Sequence, residues 1–98
     1  MTSEQPEVLA SNHGQPGETL RKARETRGLA LNDVAVSLNL APVALKNLES
    51  GAFDRLPGHT FARGYIRAYA KLMGMDQDLL VREFDQVTGT DASGSSVN

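Results

Sequence analysis

The chain contains no cysteine among its 98 residues. Disulfides and thiolate metal sites are therefore excluded, and an intracellular compartment is the simplest reading. No apolar run reaches about 18 residues, so no stretch has the length to cross a bilayer as a helix. Residues 1–15 lack the basic start and apolar centre of a signal peptide. No segment alternates apolar and polar residues as a half-buried strand would. The two histidines, His13 and His59, have no Cys, His or paired carboxylate at ligand spacing, so no metal is expected. No nucleophile stands with a base and an orienting group, and no glycine loop is spaced to cradle a phosphate. Neither enzymatic chemistry nor a cofactor is expected.

Net charge is also small. The formal net charge is −2, but Glu4, Glu7 and Asp91 lie at the two ends, which leaves the central part near +1. Such a balance does not by itself point to nucleic acid. Residues 1–15 are polar and carry Pro6 and Gly14, which is expected of a disordered lead-in. Residues 89–98 are rich in Gly, Ser and Thr and read as a flexible tail or linker. A single domain is expected over residues 16–88.

Within that span the pattern is five helical segments with short breaks. The first covers 17–27, with Leu20, Ala23 and Arg24 on one side and Gly28 after it. The second covers 32–38, with Asn32 as its expected N-cap and Val34, Ala35 and Leu38 as its apolar face. After a turn at 39–41, Pro42 suits the first position of a third helix, which points Leu45 and Leu48 inward and stops at Gly51. Phe53 and Leu56 are expected to anchor the following loop. A fourth helix covers 60–73. The fifth starts with Asp76 as N-cap and is expected to bury Leu79, Leu80, Phe84 and Val87. Asp76, Asp78, Glu83 and Asp85 are assigned to capping and a polar face. The fold class is all-α: a compact five-helix bundle.

The second and third segments have the spacing of a helix-turn-helix. In DNA-binding versions, the second helix of the pair presents donors and acceptors to base edges. Here its leading positions are Ala41, Pro42, Val43 and Ala44, none with a polar side chain. Lys46 and Asn47 follow, and Glu49 would face phosphates with the wrong sign. Arg21, Lys22, Arg24 and Arg27 could bind DNA non-specifically. Interleaved with Glu18 and Glu25, they read better as a solvated face of the first helix.

The fourth helix has more apolar surface than one stripe. At 100° per residue, Phe61, Ala62, Tyr65, Ile66, Ala68, Tyr69, Ala70, Leu72 and Met73 cover roughly 200°, against the roughly 100° that a surface helix usually buries. Arg63, Arg67 and Lys71 occupy the remainder. Ile66, Ala70 and Met73 are core candidates, whereas Phe61 and Tyr65 stand one turn apart, with Ala68 and Leu72 extending their face and Gly64 bordering it. Gly64 costs about 1 kcal/mol in a helix interior relative to Ala. Close approach of a partner backbone or of a neighbouring helix would justify it. On the pattern alone, Phe61 and Tyr65 divide evenly between core aromatics and interface anchors.

Three pieces of sequence carry a resemblance: GETLRKARE at 17–25, LKNLE at 45–49 and LPGHTFARGYIRAYAKL at 56–72. The first two occur in many repressor-type domains. The Phe-x-Arg-Gly-Tyr-Ile-Arg-x-Tyr-Ala piece is far more specific. Together they resemble the cytoplasmic N-terminal domain of the RodZ family of bacterial cell-shape proteins, over about residues 16–89. The resemblance implies a five-helix repressor-like domain. It also implies a membrane-spanning helix and a periplasmic domain further along a longer native chain, of which this would be a soluble piece on the inner face of the cell membrane. It names a partner as well, the actin-like filament protein MreB, contacted by the fourth helix with the aromatic pair at Phe61 and Tyr65. On that footing the partner-binding set is Phe61, Tyr65, Gly64 and Ala68, with Arg63 and Arg67 as a solvated flank or charged rim. The alternative is a repressor-type DNA-binding regulator acting through Lys46 and Asn47.

Overall fold

The computed structural model describes residues 15–89. They form five α-helices and one turn of 3-10 helix, with no strand among the described residues: α1 (Pro16–Thr26), α2 (Leu31–Leu38), α3 (Pro42–Ser50), the 3-10 turn (Phe53–Arg55), α4 (His59–Leu72) and α5 (Gln77–Thr88). The fold is all-α with a helix-turn-helix at α2 and α3, as the periodicity predicts. The expected lead-in and tail fall, apart from Gln15 and Gly89, outside the described residues.

Most helix ends follow local rules. Pro16 and Pro42 each open a helix, where a missing N–H costs nothing. Asp76 caps α5, its carboxylate accepting from the Leu79 N–H at 3.1 Å. The turn between α2 and α3 depends on Asn39, which takes a left-handed conformation (φ 56°, ψ 48°) that Asn tolerates better than most residues. One cap departs from expectation. Asn32 lies inside α2, whose N-cap is Ala30 with no side-chain bond. The pattern points to the first polar residue before the apolar face, but the cap lies two residues earlier.

The core is a single cluster to which every helix contributes. Leu20 comes from α1, Val34 and Ala35 from α2, Leu45 and Leu48 from α3, and Leu80, Val81 and Phe84 from α5. α4 supplies Ala62, Ile66, Tyr69 and Ala70, and it packs most extensively against α5. Phe84 is fully buried beneath Phe53, their rings edge to face at 4.9 Å, so the 3-10 turn closes the core as its aromatic suggested. Two residues expected inside are outside: Leu79 is 43% exposed and Val87 48%. Val81 is buried instead. The stripe that α5 turns inward is centred between Val81 and Phe84, and Leu79 sits roughly 140° around the helix from Phe84.

Candidate functional site

The buried side of α4 is narrower than its apolar arc. Phe61, Tyr65 and Ala68 are half-buried along its flank, and Leu72 continues the line as an exposed residue. The rings of Phe61 and Tyr65 lie 4.8 Å apart at 50°, so each covers part of the other. The Tyr65 hydroxyl reaches the helix-turn-helix, donating to the Asn39 carbonyl at 3.4 Å. The aromatic pair is therefore neither core nor free side chain. It is a preordered ridge with one edge open to solvent.

Gly64 borders this ridge and is exposed. A Cβ built at Gly64 meets nothing within 4 Å. No neighbouring helix approaches it, which removes one of the two reasons for a glycine there.

Arg63 and Arg67 are not simply solvated. Arg63 grips Asp85 of α5 with two bonds, Nε to Oδ1 at 3.0 Å and Nη2 to Oδ2 at 2.8 Å. That carboxylate holds the Arg63 guanidinium above its ordinary pKa. Asp85 is buried, so it belongs to the α4–α5 seam and not to a polar face. Arg67 pairs with exposed Asp78 at 3.2 Å, an arrangement of small energetic weight. Lys71, exposed beside this face, has no ion pair among the described residues.

Ala41, the N-cap of α3, is exposed, as are Pro42, Val43 and Lys46 on the helix itself, and Asn47 is half-buried. The helix thus turns outward the face a DNA-binding protein would use, but with apolar residues at its leading edge. Glu49 does not face phosphates at all. It is 4% exposed, and Arg24, assigned to a solvated face by its neighbours in sequence, holds it internally. Arg24 donates from Nε to Glu49 Oε2 at 2.7 Å, from Nη2 to Oε1 at 3.0 Å and from Nη1 to the Leu29 carbonyl at 2.8 Å. The Tyr69 hydroxyl donates to the same Oε2 at 2.5 Å. This network ties α1, α3 and α4 together. A signal for it exists in the sequence: Leu20, Ala23 and Arg24 share one stripe, as do Leu45, Leu48 and Glu49, so each stripe carries one charge of opposite sign into the core.

Burial first, and then its bond to the Glu49 carboxylate, push the Tyr69 hydroxyl well above the ordinary tyrosine pKa. Tyrosine in the unfolded chain ionises near pH 10, roughly, while buried Tyr69 stays protonated. Its folded pKa is the higher one, so this contribution is fully present below about pH 10 and is lost as pH rises beyond it. Urea unfolding of wild type should lose about 1 kcal/mol more than Tyr69→Phe between about pH 10 and pH 11. Parallel alkaline declines in the two proteins would refute this role.

A pocket of about 290 Å³ opens between the start of α1 and the end of α3, lined by Pro16, Gly17, Ser50, Gly51 and Phe53 among others. None of the candidate partner-binding or DNA-binding residues lines it, and the one buried charge beside it, Glu49, is already engaged. Among the described residues no group of three His, Asp or Glu could hold a metal ion, and no helix is long and apolar enough to cross a membrane.

Residues 19–80 match the model of a family described as a helix-turn-helix domain. Over 59 residues, 59% of the chain, the sequence is 41% identical to an uncharacterized protein of Haemophilus influenzae. That match spans 20% of the relative's length. No solved structure matches.

Proposed function

The chain belongs to the helix-turn-helix domain family, and from that premise we propose that it is a protein-interaction domain whose binding face is α4 rather than the DNA-reading helix α3. The observation that carries this reading is the Phe61–Tyr65 ridge beside an exposed Gly64 that no part of the domain approaches. Aromatic anchors with room for a close backbone are what an interface centre uses. The RodZ-like motif at 61–70 supplies the partner, the actin-like filament protein MreB. The domain would then belong to a longer, membrane-tethered protein on the cytoplasmic side, linking the filament to the cell-wall elongation machinery. No catalytic step, metal or cofactor enters this reading.

Repressor-type DNA binding is the weaker alternative. It would read bases through Lys46 and Asn47, without help from Arg24, which is committed to Glu49. Salt-sensitive selection of one operator from a DNA library would favour it.

The test is titration against purified MreB filaments. Tyr65→Ala should weaken binding by roughly 2 kcal/mol or more, and Phe61→Ala/Tyr65→Ala should abolish it, with circular dichroism showing both still folded. Gly64→Ala separates two effects. It should stabilise the fold by about 1 kcal/mol, since an alanine is the better helix former and its methyl has space. It should also weaken the partner, because the methyl occupies the approach. A folded double variant that binds as wild type does would rule out α4 as the docking face.

A further inference from the structure

The two most exposed large hydrophobic side chains among the described residues are Val36, at 80%, and Val43, at 66%. They flank the turn of the helix-turn-helix, one on the last turn of α2 and the other on the first turn of α3, with exposed Ala41 and Pro42 between them in sequence. Nothing in the proposed function uses this edge. One turn before Val36, on the same outward face of α2, stands exposed Asp33; one turn after Val43, on the outward face of α3, stands exposed Lys46. Neither side chain has a hydrogen bond or ion pair among the described residues. The edge therefore reads acid, apolar, apolar, base along the chain.

That arrangement selects among occupants. A nucleic acid needs several cations, and this edge offers one beside an acid of opposite sign. A partner face of a single charge would meet one attraction and one repulsion here. A second copy turned by a two-fold axis meets neither problem. In a two-fold pair the same patch faces itself, so whatever residue i touches is touched in turn by its equivalent. Asp33 of each copy can then meet Lys46 of the other, with the valines packed between the two ion pairs. We infer that the Val36–Val43 edge is a self-association surface through which two copies of this chain pair as a symmetric dimer. Two short helix faces make a small interface, so the dimer is weak, with a Kd on the order of 100 µM. Pairing does not depend on what α4 binds. If the reading of α4 holds, a pair carries two docking ridges, and a filament with repeated sites rewards that by avidity.

Sedimentation equilibrium of the 98-residue chain tests this without any partner present. From about 10 µM to about 1 mM the apparent mass should climb from monomer toward dimer. Val36→Asp and Val43→Asp lie on the surface, so each should keep the wild-type circular dichroism and remain monomeric throughout. Asp33→Lys and Lys46→Asp should each weaken pairing at least about tenfold, and the double exchange Asp33→Lys/Lys46→Asp should recover it, since the charges then oppose again across the axis. A wild-type chain that stays monomeric to the highest concentration overturns the proposal. So does a dimer indifferent to Val36→Asp and Val43→Asp, or a double exchange that recovers nothing. A mass increase seen only on adding duplex DNA would assign the edge to nucleic acid instead and equally overturns it.

Discussion

Glu49→Ala lowers the unfolding free energy by about 3–5 kcal/mol, the usual cost of deleting one partner of a buried ion pair. The reason lies in what remains. Arg24, with a side chain only 11% exposed, keeps its charge and loses two of its three bonds, and the Tyr69 hydroxyl loses its acceptor in a fully buried site. A domain of this size has a total stability of about 4–11 kcal/mol, so the variant is unfolded or close to it at room temperature. Removing both charges together is milder. Arg24→Met/Glu49→Leu fills the same space with apolar atoms, leaves the Tyr69 hydroxyl and the Leu29 carbonyl without these partners but no buried charge, and should recover most of the loss. Urea unfolding followed by circular dichroism measures both. A loss below about 1 kcal/mol for Glu49→Ala would mean that water reaches the carboxylate and that the network is not a buried one.

Gly17→Ala lowers stability by about 3 kcal/mol, at the top of the range for overpacking. A Cβ at Gly17 would lie 2.2 Å from the Leu48 carbonyl oxygen and 2.9 Å from that of Glu49. Both are backbone atoms at the end of α3, so no side chain can rotate away. α1 must move, and the Arg24–Glu49 bonds that cross from α1 to α3 move with it. For a domain of this size the melting temperature should fall by roughly 12 °C or more. Gly64→Ala is the matched control, predicted above to stabilise. Both glycines are in helices and on sequence grounds both gain from alanine. Equal melting temperatures for Gly17→Ala and wild type would show that α1 does not sit as close to α3 as described.

Periodicity on α4 makes part of the proposed binding face legible. Phe61, Tyr65 and Ala68 were set apart from Ile66, Ala70 and Met73 by their angle around the helix, and burial divides them along that line. What periodicity could not say is how the flank is finished. Tyr65 bonds to a carbonyl 26 residues earlier, and Arg63 to a carboxylate 22 residues later. Assigning Arg63 to a solvated flank and Asp85 to a polar face treated separately two charges that the α4–α5 seam joins.

From sequence alone followed the all-α class, five helices, the turn at 39–41, the stops at Gly28 and Gly51 and the cap at Asp76. The class and the helix count follow from periodicity along whole segments, and the turn, stops and cap are settled within about four residues, by a missing N–H, a side-chain acceptor or a backbone conformation that few residues tolerate. Tertiary structure alone decided that Arg24, Glu49 and Tyr69 meet, that Val81 and not Leu79 is buried, and that Gly17 is pressed against a carbonyl while Gly64 stands open. Those outcomes depend on which helix face meets which, between residues 20 or more apart in the chain. A helical period states the direction of a side chain but not what lies opposite it.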